Sequence, residues 1–71
     1  MTLWEAPCGQ EAIIESLRTG DGDLEAFLFS LGCYSGEPIT VVFRHRNTCV
    51  VAIKDGRYSI DKTLAQAIAL A

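Results

Sequence analysis

The side chains best suited to bind a metal ion are one histidine and three cysteines. His45 is the only histidine, and the thiols belong to Cys8, Cys33 and Cys49. Imidazole and thiolate groups suit Fe²⁺ and Zn²⁺, so His45, Cys33 and Cys49 are the candidates for a transition-metal site. No C-x-x-C or H-x-x-H spacing brings these groups together, although a tight site needs three or four converging ligands. The alternative is that His45 is an ordinary solvated residue at a strand end.

The three thiols are expected to be reduced and to differ in exposure. An odd number of widely spaced cysteines is not typical of a secreted disulfide framework, and it favours a cytoplasmic protein. Cys49 alternates in phase with Val51 and Ile53, which predicts a place in the core. Cys33 directly follows a predicted helix end, and we expect it to be the exposed thiol of the two.

The sequence carries no pattern that predicts catalysis. It has no Ser/His/Asp or Cys/His arrangement with a local signature and no paired acids in a predicted cleft. Gly20-Asp21-Gly22 is a turn, because the Gly-Lys-Ser/Thr ending of a phosphate-binding loop is absent. We therefore expect a protein that is not an enzyme.

A short helix must position several of these residues. Asp23 is the preferred N-cap and Asp21 the second choice, because a carboxylate accepts the free amides of a first turn. Gly32 is placed to take the left-handed conformation that ends a helix. Apolar residues recur at helical spacing between these limits, at Leu24, Phe27, Leu28 and Leu31.

Short strands are predicted on both sides of the helix. The first covers Gln10–Leu17, between Gly9 and a turn rich in glycine. The predicted strands after the helix are Ile39–Arg46, Thr48–Lys54 and Tyr58–Ile60. The sequence Lys54-Asp55-Gly56-Arg57 predicts a hairpin in which Asp55-Gly56 take positive φ angles.

The last segment, Lys62–Leu70, begins after Asp61, which is a suitable helix cap. Its apolar residues follow helical spacing, but Ile68–Leu70 are equally able to close the sheet as an edge strand. Short strands separated by turn signals predict a mainly β fold with short helices, arranged as a small closed or nearly closed β-barrel.

Length and charge narrow the classes of function. The chain has 71 residues, 49 % of them hydrophobic, which is enough for one domain and one core. No apolar run approaches the roughly 18 residues of a membrane span, and we expect no leader peptide and no direct membrane insertion.

The charges are distributed unevenly along the chain. Residues 1–43 hold seven acids and one base, whereas residues 44–71 hold five bases and two acids. This asymmetry is able to orient the protein on a charged partner, or it is only a solvated surface. A net charge of −3 disfavours nucleic-acid binding.

Glycines and aliphatic residues along the whole chain give a resemblance to a known family. The spacing of Leu31-Gly32, Gly36, Ile39 and Val41, followed by Gly56–Asp61 and Leu64–Ile68, resembles the FeoA family of small ferrous iron transport proteins. Leu3, Gly9 and Ile14 match the opening of the same pattern. The chain differs from the family pattern in its helix residues Glu25–Phe27, at Cys33–Ser35 and in its short loop Arg44–Thr48. With these differences the chain resembles a divergent branch of the family.

The resemblance implies an SH3-like small β-barrel over residues 1–71, as one domain. It implies a non-catalytic cytoplasmic accessory protein that docks on the cytoplasmic GTP-binding domain of a ferrous iron transporter. A similar barrel forms the C-terminal domain of metal-dependent repressors, but this chain has no winged-helix part. Two alternatives stay open, which are a small metal-responsive domain that binds Fe²⁺ or Zn²⁺ and a peptide-binding module unrelated to iron.

Partner binding is the activity that the aromatic and basic residues favour most. SH3-like barrels bind peptides in grooves lined by aromatic side chains, and Tyr34, next to a turn, is expected to be exposed. Phe29 lies off the apolar stripe of the helix, so it is either covered by strands or an exposed anchor. We expect Arg44-His45-Arg46 beside Tyr34 as a charged rim. The remaining candidates for such a groove, some of them core residues instead, are Trp4, Phe43 and Tyr58.

Overall fold

Five antiparallel strands form the body of the molecule in the computed structural model, which describes residues 1–71. The sheet order is β4-β3-β2-β1-β5, so β2, β3 and β4 lie next to one another in chain order, while β1 lies between β2 and the C-terminal strand β5. The predicted mainly β fold is confirmed. The strands are β1 Glu11–Leu17, β2 Pro38–His45, β3 Thr48–Ile53, β4 Gly56–Asp61 and β5 Ile68–Leu70.

Two irregularities bend this sheet into a barrel. The first half of β1, Glu11–Ile13, pairs with β2, whereas the half from Ile14 to Leu17 pairs with β5. The register shifts between Ile14 and Ser16 in β1 and again between Val41 and Phe43 in β2. Such bulges sharpen the bend of a strand. The outer strands β4 and β5 do not pair with each other, and helix α2 (Lys62–Gln66) contacts both of them.

The core is entirely apolar. No charged or polar residue is buried, and alternate residues of β3 point inward as the sequence predicts, since Cys49, Val51 and Ile53 are all buried. A short 3-10 turn at Leu3–Glu5 closes one end of the barrel with Leu3. The largest fully buried side chains are Leu3, Ile14, Leu28, Ile39, Ile53, Ile68, Val41 and Val51.

Helix α1 covers Gly22–Leu31. Its N-cap is Asp21, so the preferred prediction of Asp23 is wrong and the second choice is confirmed. The Asp21 carboxylate accepts the amides of Asp23 and Leu24 at 2.9 and 3.3 Å. The amide of Asp21 is itself bound at 3.0 Å to the Thr19 hydroxyl, which fixes the turn one step earlier. Gly32 ends the helix at φ +99° as predicted, and its amide donates to carbonyls of the last turn.

The predicted apolar stripe of α1 is only partly confirmed. Leu28 is the one buried residue of the helix, whereas Phe27 is 46 % exposed. The physical reason is that a short helix on a small barrel reaches the core with a single turn. The aromatic residues on either side of Leu28 therefore remain at the surface.

The turn between β3 and β4 differs from its prediction. Lys54 has a positive φ of 51°, whereas neither Asp55 nor Gly56 has one. Ile53 pairs with Gly56, which makes Gly56 the first residue of β4 and leaves Lys54-Asp55 as the two turn residues.

The C-terminal segment is a helix over Lys62–Gln66 and then an edge strand over Ile68–Leu70. The predicted alternative in which Ile68–Leu70 close the sheet is therefore confirmed.

Candidate partner-binding site

A stacked pair of exposed aromatic rings marks the most prominent surface feature. The left-handed cap at Gly32 turns the chain back, which brings Tyr34 against Phe29 from the last turn of α1. The ring centroids lie 5.7 Å apart at an interplanar angle of 21°, within the range of offset stacking. Phe29 is 40 % exposed and Tyr34 is 47 % exposed. Of the two alternatives for Phe29, the structure shows the exposed one.

An open groove of about 420 Å³ lies beside this pair. We call it the aromatic groove. The turn between β3 and β4 forms its other wall, so the groove joins the helix end to a hairpin. The aromatic and charged side chains that line it are Phe29, Tyr34, Lys54, Asp55 and Tyr58.

Lys54 supplies the positive charge of the aromatic groove. Its ammonium nitrogen lies 5.6 Å from the centroid of the Tyr34 ring and 3.2 Å from a carboxylate oxygen of Glu37. The aliphatic stem lies on the backbone of Gly32, where a Cβ atom would come within 2.9 Å of Cδ and Cε of Lys54. The lysine is thus held by an aromatic face and a carboxylate while its head stays half exposed.

Tyr58 forms the floor of the groove and packs against the core. Its phenol group lies where a side chain on Gly56 would be, so only glycine at that position leaves the ring in place. Tyr58 was a predicted groove candidate, whereas Lys54 was missed. The charge after an apolar strand was visible in the sequence, but the positive φ that turns Lys54 toward Tyr34 was not.

Arg44, a predicted partner contact, is engaged by the N-terminal segment. One guanidinium nitrogen donates to the carbonyl oxygen of Ala6 at 2.7 Å, and the group lies 5.2 Å from the ring centroid of Trp4. A second nitrogen lies 3.6 Å from the sulfur of Cys8. Lys62 approaches the same ring at 5.6 Å. We call Arg44, Trp4 and Ala6 the arginine brace.

His45 and Arg46 are exposed at the tip of the β2–β3 hairpin. The His45 ring stacks on Phe43 with centroids 6.1 Å apart, and the Nε–H of Arg46 donates to Nε2 of His45 at 3.2 Å. Tyr34 instead contacts Lys54, at the far end of the same hairpin. The expectation of a basic rim beside Tyr34 is therefore wrong, because the full length of β2 separates the two.

The metal-ligand candidates do not converge. Cys33 and Cys49 are each 1 % exposed, so the expected exposure of Cys33 is wrong; the residue folds inward directly after the helix cap. Burial raises the pKa of the Cys33 thiol to about 11 and also raises the pKa of Cys49. His45 is exposed, and no three His, Cys, Asp or Glu residues group as metal ligands. Both buried thiols are therefore neutral near pH 7, where metal binding needs thiolate.

The bent five-stranded sheet, its apolar core and its two short helices are those of a small SH3-like barrel. The FeoA domain family matches residues 1–71, and the chain belongs to this family. The resemblance found in the sequence is thereby confirmed. A comparison with curated protein sequences gives no match.

Solved structures with the same fold include transport proteins and a regulator. FeoA of Stenotrophomonas maltophilia complexed with zinc, described as an SH3 domain protein, has a TM-score of 0.88 at 22 % identity, over 100 % of this chain and 89 % of that one. Iron(II) transport protein A of Clostridium thermocellum has a TM-score of 0.90 at 26 % identity, over 99 % and 44 %. A manganese-dependent transcriptional repressor in complex with manganese has 0.89 at 20 % identity, over 97 % of this chain and 35 % of its own. The chain thus spans about a third of the repressor.

Family membership supports a role in ferrous iron transport. The family consists of accessory transport proteins and is not a known enzyme family. None of the helices has the length and apolar character that crossing a lipid bilayer requires.

Proposed function

We propose that this protein is a cytoplasmic, non-catalytic accessory protein that docks on the cytoplasmic GTP-binding domain of a ferrous iron transporter. The aromatic groove is the proposed contact surface. The observation that carries the proposal is the stacked and exposed pair of Phe29 and Tyr34 beside Lys54.

The physical support for the proposal is the exposed aromatic area of Phe29 and Tyr34. Tyrosine and phenylalanine contribute large areas at a small cost in side-chain entropy, and aromatic anchors dominate many protein interfaces. The two rings already hold each other in place, so less freedom is lost when a partner covers them. Lys54 and Glu37 at the rim add a charged pair that is able to orient an incoming group.

The exposed tip of the hairpin is a secondary proposed contact. His45 and Arg46 project there without a carboxylate partner, so they are able to meet an acidic surface of the same transporter domain. Arg44 is proposed to act indirectly, because its guanidinium is engaged by Ala6 and Trp4 and positions the strand that carries the other two.

The test is a ¹⁵N–¹H correlation spectrum titrated with the GTP-binding domain of the ferrous iron transporter from the same organism. We expect localised shifts at Phe29, Tyr34, Lys54 and Tyr58. The variant Tyr34→Ala should weaken the affinity about tenfold or more, the range of an interface anchor. The matched control is Phe27→Ala, which removes a ring of similar exposure, 46 % against 47 % for Tyr34, that does not line the groove.

The outcomes separate the candidate functions. Loss of affinity in Tyr34→Ala with retention in Phe27→Ala supports docking through the aromatic groove. Equal affinity of all three proteins contradicts the groove, and absence of shifts at high excess of the domain contradicts the docking partner itself. Arg46→Glu tests the secondary contact, since a charge reversal at the tip should slow association without shifting the groove signals.

A further inference from the structure

The outer edge of β4 is an unpaired strand edge. β4 is the last strand of the sheet on its side, and its partner β3 covers only one edge. Because Ile53 and Gly56 close a two-residue turn, the amides and carbonyls of Gly56, Tyr58 and Ile60 point toward β3. The bond from the amide of Lys62 to the carbonyl of Asn47, at 2.7 Å, continues the same alternation.

The remaining residues of β4 present their backbone groups outward. These are Arg57, Ser59 and Asp61. Asp61 is also the N-cap of α2, so its carbonyl accepts the first bond of that helix and only its amide stays free at the edge. Their side chains share the exposed face of the strand, whereas Ile60 is buried. A strand edge of this kind is a template for a further strand.

The order of side chains along this edge is self-complementary. If a second copy of β4 runs antiparallel with Ser59 at the centre, each Ser59 faces the other copy's Ser59. Arg57 then faces Asp61 of the second copy, and the same pair forms again by symmetry. Opposite charges placed directly across an antiparallel pair are favourable, and a two-fold contact needs one patch that complements itself.

We propose that the outer edge of β4 pairs with the same edge of a second copy of this chain, centred on Ser59, to form a two-fold symmetric dimer with one continuous sheet. Arg57 has no carboxylate within salt-bridge distance in the single chain, so its charge is free for the second copy. Asp61 uses one carboxylate oxygen to accept the amide of Leu64 at 2.8 Å and keeps the other. This inference is independent of the docking function.

Sedimentation velocity over a concentration series, up to about millimolar, tests the proposal through charge reversal. The wild type should dimerise, and Arg57→Asp and Asp61→Arg should each dimerise about tenfold more weakly, because both place like charges across the edge. An equimolar mixture of the two variants should recover dimerisation, since every pair is then opposite in charge. The matched control is Arg46→Asp, which reverses an exposed arginine away from the edge and should leave the dimer intact.

A backbone variant covers the case that Asp61→Arg unfolds by losing its helix cap. Ser59→Pro removes an outward amide and leaves the bonds to β3 in place, so it should fold and remain monomeric. Circular dichroism checks the fold of each variant. The proposal is overturned by a wild type that stays monomeric at the highest concentration, by a dimer that survives Ser59→Pro, or by folded charge variants whose mixture fails to associate.

Discussion

Each end of the β2–β3 hairpin carries a cation beside an aromatic ring, but the two pairs differ in their surroundings. At one end Lys54 lies over Tyr34, and at the other end Arg44 lies over Trp4. The lysine head is half exposed above an open groove, whereas the guanidinium is tied to the carbonyl of Ala6. A cation beside an aromatic ring therefore does not by itself mark a binding surface. The other bonds of the cation distinguish the two ends, because the guanidinium is engaged by a backbone carbonyl whereas the ammonium borders the groove that we propose as the contact surface.

The planar guanidinium explains why the closed end uses arginine. It is able to lie on an indole face and donate in its own plane to a carbonyl at the same time. Lysine, with a compact head on a flexible stem, suits the open end, where it contacts Glu37 and Tyr34 and stays accessible. The predictions below disturb one end while the other serves as the internal reference.

The largest effect is expected for Leu28→Ala. Leu28 is fully buried and is the only buried residue of α1, so its loss should cost about 2–5 kcal/mol of unfolding free energy. Because the helix is then poorly anchored, Phe29 should leave the stack while the arginine brace persists. Urea denaturation gives the cost, and Leu24→Ala is the control with a smaller expected loss. Chemical shifts of Trp4 that move as much as those of Tyr34 would contradict the independence of the two ends.

Arg44→Ala should affect the other end. Removal of the guanidinium leaves the Ala6 carbonyl without its donor and uncovers one face of Trp4, at a cost of about 1–3 kcal/mol. Tryptophan fluorescence should report the change, whereas the groove signals stay in place. Arg46→Ala is the matched control, since an exposed arginine should change the stability by less than about 0.5 kcal/mol. Equal costs for both variants would exclude the brace.

Gly32→Ala tests the join between helix and groove. At φ +99° a Cβ atom is strained, and it would also meet the stem of Lys54, so we expect a loss of about 1–2 kcal/mol. Lys54 should leave the Tyr34 ring, which nuclear Overhauser contacts between them would show. Gly22→Ala is the control, because Gly22 has open space and no positive φ. A Lys54–Tyr34 contact that persists in Gly32→Ala would show that the glycine does not seat the lysine.

The smallest effect is expected from the buried thiols at alkaline pH. Burial raises the pKa of Cys33 from about 9 to about 11, so the folded state binds its proton more tightly than the unfolded state. The contribution of this thiol to the unfolding free energy is therefore fully present below pH 9. It is lost as the pH rises toward 11, because the unfolded state loses its proton first. Burial also raises the pKa of Cys49, but the neighbouring Arg44 opposes that shift. Cys33→Ala should thus flatten the pH profile of the unfolding free energy, measured by urea denaturation, more than Cys49→Ala.

Local signals explain what the sequence predicts well. Gly32 ends a helix and Asp61 begins one for reasons that lie within a few residues, and both predictions are confirmed. The alternation that places Cys49 in the core is likewise a property of one strand. The fold class follows from the number and length of such segments, so it too could be predicted from the sequence.

The failures concern residues whose partners are distant in sequence. The bond from Arg44 to the Ala6 carbonyl was not predicted, because nothing near Arg44 in the sequence indicates a carbonyl 38 positions away. Phe27 has the spacing of a core residue, but the barrel offers room for a single helical turn. The aromatic groove joins the end of α1 to the turn after β3, and only the pairing of Ile53 with Gly56 shows that Lys54 reaches Tyr34.

The divided pairing of β1 has a consequence for the order of folding. β2, β3 and β4 are joined by two-residue turns, so this meander closes small loops and forms quickly. The pairing of Ser16 with Ala69 instead closes a loop of about fifty residues, which costs more chain entropy. We expect the β1–β5 ladder to be the late step of folding and the first to open. Amides of β5 should therefore exchange with solvent deuterium sooner than those of β3.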